Sequence, residues 1–187
     1  MRRLALLTVS CSLVLGLAGH AHERVSVIDL GSLAGGMQTS GHYLNQRGQV
    51  VGKTITGDTG KYQAIIWDRG IMSPIIDASV SEVLSDAMRD LAPGDPRKSF
   101  ALGINNRGQV VGGVSVGFVN GSEVFRAVLW EGGVMTMLSG LGVPDLPGDS
   151  NSAYKINDNG QILVNTSVVL GAGQHQDVAA FLVELYD

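Results

Sequence analysis

The sequence contains a single cysteine, Cys11, and it lies where it can do little for a mature protein. Residues 4–17 are apolar and uncharged, Met1-Arg2-Arg3 precedes them, and Gly19-His20-Ala21 follows. A basic head, an apolar middle and small residues before the cut mark a secretory signal peptide, so residues 1–21 are read as one, cleaved after Ala21. Cys11 follows Thr8-Val9-Ser10 inside the apolar stretch instead of closing it, which argues against lipid attachment. The expected mature chain, residues 22–187, has no cysteine. It can hold neither an intramolecular disulfide nor a thiol catalyst, although an extracellular or periplasmic location would permit disulfides.

Long hydrophobic runs are also missing. The signal's apolar stretch is about 14 residues, short of the ~20 that a membrane span needs. Nor is there a cluster of basic residues. Without Arg2 and Arg3, 11 of the 13 basic residues remain against 17 acidic ones, a net charge of −6 with neutral histidines. That balance excludes nucleic acid and, after signal cleavage, an anionic membrane as expected partners. The remaining chain is long enough to bury a core as one domain.

What is present is one phrase written three times. Asn45-Gln46-Arg47-Gly48-Gln49-Val50-Val51-Gly52 recurs as Asn105-Asn106-Arg107-Gly108-Gln109-Val110-Val111-Gly112, and in a diverged form as Asn157-Asp158-Asn159-Gly160-Gln161-Ile162-Leu163-Val164. A phrase at long spacing signals a repeat architecture. Asn-x-x-Gly between apolar segments suits a hairpin turn, with the asparagine side chain bonding its own backbone and the glycine supplying positive φ. Asn45, Gly48, Asn105, Gly108, Asn157 and Gly160 are therefore assigned as structural turn residues. No Gly-x-Gly-x-x-Gly or Gly-Lys-Ser/Thr accompanies them, as a phosphate cradle would require.

A second phrase follows each turn. Ala64-Ile65-Ile66-Trp67 matches Ala127-Val128-Leu129-Trp130 and Ala180-Phe181-Leu182-Val183, and a third element, Gly70-Ile71-Met72, matches Gly133-Val134-Met135. Each repeat is then four strands, over about 40–76, 99–138 and 152–185. The third lacks its own fourth strand, and the segment at 25–30 is expected to supply it and close the domain, hiding two exposed edges. Four strands every ~40–50 residues suggest propeller blades, though three are fewer than usual. Prism-like and trefoil-like threefold arrangements also use twelve strands. Ala127 and Leu129 face one way, Val128 and Trp130 the other; two apolar faces suit sheets covered on both sides, and Trp67 and Trp130 are assigned to the core. The fold class is all-β, propeller-like, with one inserted helix near 79–91, where Val80, Val83, Leu84, Ala87, Met88 and Leu91 keep helical spacing between a Ser79–Glu82 capping box and Pro93-Gly94.

These phrases, with Asp29-Leu30-Gly31-Ser32-Leu33-Ala34-Gly35-Gly36, resemble the HAF-repeat family of bacterial extracellular proteins, over nearly all of the mature chain. The resemblance implies a secreted protein of β-rich repeats and brings no established activity, substrate or catalytic residue. The His-Ala-Phe triplet that names the family reads Gln63-Ala64-Ile65, Arg126-Ala127-Val128 and Ala179-Ala180-Phe181 here, so any role of that histidine is absent.

The residues offer little chemistry. Gly148-Asp149-Ser150-Asn151 looks like the nucleophile block of a GDS-type esterase, but it lies late in a β-repeat chain, and the only downstream histidine, His175, follows no Asp-x-x-His. It reads better as a turn before a strand. His22, His42 and His175 have no paired zinc spacing, and Lys155 and Thr166 stand where an EF-hand needs acidic ligands. No catalytic, cofactor-binding or metal residue is assigned, and no cofactor. The expectation is a secreted, non-enzymatic binding module for a protein or glycan. A secreted hydrolase and a purely structural surface component are the alternatives.

Overall fold

A computed structural model describes residues 26–33, 36–56, 61–75, 98–144, 149–171 and 174–186. The expected signal at 1–21 and the helix near 79–91 lie outside the described residues. Those described are all-β apart from one 3-10 turn. Three antiparallel sheets follow in chain order. The first holds β1 (Gly36–Leu44), β2 (Val50–Thr56), β3 (Lys61–Asp68) and β4 (Ile71–Pro74). The second holds β5 (Ser99–Ile104), β6 (Val110–Val119), β7 (Ser122–Glu131) and β8 (Val134–Met137). The third holds β9 (Asp149–Ile156), β10 (Gln161–Gly171) and β11 (Gln174–Glu184). Each sheet is a meander of neighbouring strands.

The phrases set equivalent registers. Val51 opposes Ile66, Val111 opposes Leu129 and Leu163 opposes Leu182. The strand before each turn carries a bulged residue near the turn, at His42, Leu102 and Tyr154. A bulge bends its strand toward the partner, and the partner yields at Gly52 and Gly112. A side chain at either position would run into the backbone carbonyl of Ser40 or Phe100. The third repeat has Val164 there, paired with Ala153.

The sheets stack face to face, and the second lies in the middle. One of its faces brings Val110, Val128 and Trp130 against Val51 and Ala64 of the first sheet. The other brings Val111, Ala127 and Leu129 against Ala153, Ile156, Ile162 and Val164 of the third. Period-two alternation along β7 thus serves two cores. Trp130 is buried, while Trp67 is only half-buried, because its sheet is covered less completely. The described strands of the first and third sheets share no substantial packing, but Lys155 of β9 reaches across to the Tyr43 ring of β1, 5.7 Å from its centroid.

Two expectations need correction. Residues 26–30 form no strand, and Val27 and Ile28 are exposed, so the expected closure of the third sheet by 25–30 is not formed; that sheet has three strands. Asp149 and Ser150 belong to β9 and not to a turn, because both are drawn into the junction with the second sheet described below.

Candidate functional site: an asparagine ladder and an open sheet face

The three turns are built alike. Asn45 Oδ1 accepts from the backbone N–H groups of Arg47 and Gln49, both at 3.0 Å, and Gly48 N–H donates to the Asn45 carbonyl at 3.1 Å. Asn105 and Asn157 make the same bonds in their own turns. Gly48, Gly108 and Gly160 stand at φ of 77°, 86° and 78°, where a Cβ is disfavoured.

The glutamine of each phrase extends the network. Nδ2 of Asn45, Asn105 and Asn157 donates to Oε1 of Gln49, Gln109 and Gln161. Those glutamines in turn donate to Asp68, Glu131 and Glu184, at the end of the third strand of each repeat. Asn, Gln and acid thus form a relay that recurs three times. Gln49 and Arg69 hold the Asp68 carboxyl below its ordinary range, and Gln161 with Tyr186 does the same for Glu184. The acids follow Trp67, Trp130 and Val183 directly, so their recurrence was visible in the phrases, but neither they nor the glutamines stood out by residue type.

The asparagines also join the sheets. The second Nδ2 hydrogen of Asn45 donates to the Asn105 carbonyl at 2.9 Å, and that of Asn105 to the Asn157 carbonyl at 3.0 Å. Alongside, Gln46 N–H donates to Asn106 Oδ1, and the Asn106 backbone and side chain both donate to Asp158, each at 2.7 Å. These bonds from Asn106, the backbone one foremost, lower the Asp158 pKa. A groove of about 240 Å³ runs beside the ladder, past Tyr43, Leu44, Asn105 and Asp158.

Further from the turns, side chains of one sheet cap the backbone of another. Ser99 Oγ accepts from Ala64 N–H at 2.9 Å, and Asn151 Oδ1, at the matching place in the third repeat, accepts from Ala127 N–H at 2.7 Å. Ser150 Oγ accepts from Phe125 N–H at 2.9 Å. Arg126 donates to the Asp149 carbonyl at 2.8 Å and lies 3.4 Å from its carboxylate. The esterase-like block therefore holds a sheet junction. His42 donates to the Ala101 carbonyl at 2.9 Å, and His175 sits in β11 opposite Val169. Among the described residues, no group of three or more His, Cys, Asp and Glu side chains is placed to hold a metal.

The ladder stops at the third sheet. Asn45 and Asn105 are buried, whereas Asn157 is exposed. The same sheet exposes Leu163, Val168, Leu170, Val178 and Leu182. Among the described residues, no helix is long and apolar enough to cross a membrane. A scan against protein-family models finds no match, and searches of curated proteins and of solved structures find none either.

Proposed function

We propose that this chain is a secreted, non-enzymatic interaction module that holds a protein partner on the outward face of its third sheet. The observation that carries this reading is the aliphatic exposure of that sheet. Exposed apolar side chains held together on one face, as Leu163 and Leu182 are across β10 and β11, mark interaction sites in soluble proteins. Its leucines and valines favour a protein over a glycan, because sugars are held by aromatic stacking and polar pairing, and the tryptophans are buried or half-buried elsewhere. The signal-like residues 1–21 support secretion, and the likeness of the three phrases to the HAF-repeat family supports the same setting. The best-organised polar groups are committed to turns and sheet junctions, which supports a framework that presents surfaces.

The test is a photo-crosslinking side chain placed at position 182, with one at position 134, on the exposed edge strand of the second sheet, as control. The reading expects covalent protein adducts from the 182 variant and none from the control when each is exposed to the protein's own secreted surroundings. Absence of any protein adduct at 182 overturns it.

A further inference from the structure

The two junctions inside the molecule specify what the third sheet would accept. Val51, Ala64 and Ile66 of the first sheet face the second; Val111, Ala127 and Leu129 of the second face the third. The matching residues of the third sheet are Leu163, Ala180 and Leu182, with the same cross-strand pairing. Val51 and Val111 are 0% exposed, but Leu163 is 40% and Leu182 63% exposed. A surface built like two buried ones is left open.

The first sheet carries the complementary side. Ile104 and Ile156, which end β5 and β9 and receive the preceding sheet, are buried, and their equivalent Leu44 is 64% exposed. Ile65 on that sheet is buried, so the opening lies toward Leu44 and the Asn45 turn. The Asn105 and Asn157 carbonyls each accept a turn N–H and an asparagine Nδ2; among the described residues, the Asn45 carbonyl accepts only Gly48 N–H. Among the described residues, Asn157 Nδ2 donates only to Gln161. Among the described residues, the ladder therefore has a donor without a next rung at one end and an acceptor without one at the other. Thr39 stands where Ser99 and Asn151 stand, with a hydroxyl able to cap a backbone N–H, and Ala180 stands where Ala64 and Ala127 stand.

The edge is complementary too. In the first two sheets the fourth strand pairs with Ile65–Asp68 and Val128–Glu131. The matching stretch of β11, 181–184, pairs with no fourth strand among the described residues. Leu30-x-x-Leu33 repeats the spacing of Leu138-x-x-Leu141 that follows β8. That alignment sets Ser26, Val27, Ile28 and Asp29 opposite Glu184, Val183, Leu182 and Phe181. Val27 and Ile28 are exposed and unpaired in the molecule by itself.

From this we infer that the partner is a second copy of the same chain, docked head to tail. The Leu44 end of its first sheet covers Leu163 and Leu182, its residues 26–29 add a fourth strand to β11, and its Asn45 carbonyl takes the Asn157 donor. The inference rests on the reading of the third sheet as an interaction face and names the partner. Strand addition to an open edge is a common recognition mode. A head-to-tail contact closes into a ring when its rotation permits; two such junctions make a ring of six sheets, within the four to eight blades of propellers.

Light scattering after size-exclusion chromatography of the purified full chain gives the direct test. A mass twice the single chain's is expected, falling to that of one chain in Leu182→Lys and in Leu44→Glu, with strand content by circular dichroism unchanged. A chain that stays single at all concentrations, a dimer that both variants leave intact, or a ladder of ever-larger species overturns the inference. Should either variant fail to fold, the Ile28→Cys/Leu182→Cys chain decides: a disulfide between two copies is expected, and one within a single copy contradicts it. A single-chain mass together with crosslinks from position 182 to another protein would sink the self-pairing and leave the interaction reading standing.

Discussion

Asn45 Nδ2 lies 2.9 Å from the Asn105 carbonyl. One side chain therefore closes its own turn and fastens the next sheet, and Asn105 repeats the act on Asn157 at 3.0 Å. Local turn chemistry and long-range packing share the same amide.

The middle rung should matter more than the last. Asn105→Ala would leave the buried Gln109 N–H and the partly buried Arg107 N–H without their acceptor and would remove the bond to the Asn157 carbonyl, at a cost of about 2–3 kcal/mol. Asn157→Ala removes similar bonds from an exposed turn, where water replaces them, and should cost about 1 kcal/mol. Urea unfolding of the two variants measures the difference. Equal losses would show that the link between sheets adds nothing.

Gly112→Ala places a methyl against the Phe100 carbonyl across the bulge. Backbone gives way less readily than a side chain, so overpacking of about 1–3 kcal/mol is expected. A thermal shift of several degrees would accompany it, and an unchanged melting temperature would contradict the close approach.

Ser150→Ala leaves Phe125 N–H without its acceptor inside the junction, and a loss of about 1–2 kcal/mol is expected. A broad esterase screen should read the same before and after the change. Purified wild-type turnover that vanishes in Ser150→Ala would restore the hydrolase alternative.

Acid should loosen the turns. Asp158 and Asp68 are held below their ordinary 3.8, and Glu184 below its ordinary 4.5. A carboxyl whose pKa is lowered by folding contributes stability that is present above its unfolded value and disappears as pH falls through the folded value. The melting temperature should therefore be level near neutrality and drop below about pH 4.5, the ordinary glutamate value. Asp158→Asn should flatten part of the drop, modestly, because the group is exposed. An identical acid profile in wild type and Asp158→Asn would contradict the role given to the Asn106 bonds.

The repeats, their antiparallel strands and the two apolar faces of β7 were legible because they rest on local pattern: turn chemistry in the Asn-x-x-Gly phrases and alternation in Ala127-Val128-Leu129-Trp130. The bond from Asn45 to the Asn105 carbonyl was not, since an asparagine that satisfies its own turn gives no sign of the hydrogen left over. Ser99 and Asn151 were hidden for a related reason: they differ in residue type and share only position. The segment at 25–30 has strand-like composition, but composition cannot say which edge it meets. Within one chain, residues 26–30 form no strand. Asp149 and Ser150 resemble turn residues in the sequence, but they lie in β9 because they bond to the neighbouring sheet.

Amide hydrogen exchange at Ala180 tests most directly whether the junction chemistry repeats a third time. Ala64 and Ala127 N–H groups are capped by Ser99 and Asn151. Ala180 should exchange as slowly as Ala127 in the wild-type assembly and become fast in Leu182→Lys. Fast exchange at Ala180 in both proteins, with Ala64 and Ala127 protected, would contradict it.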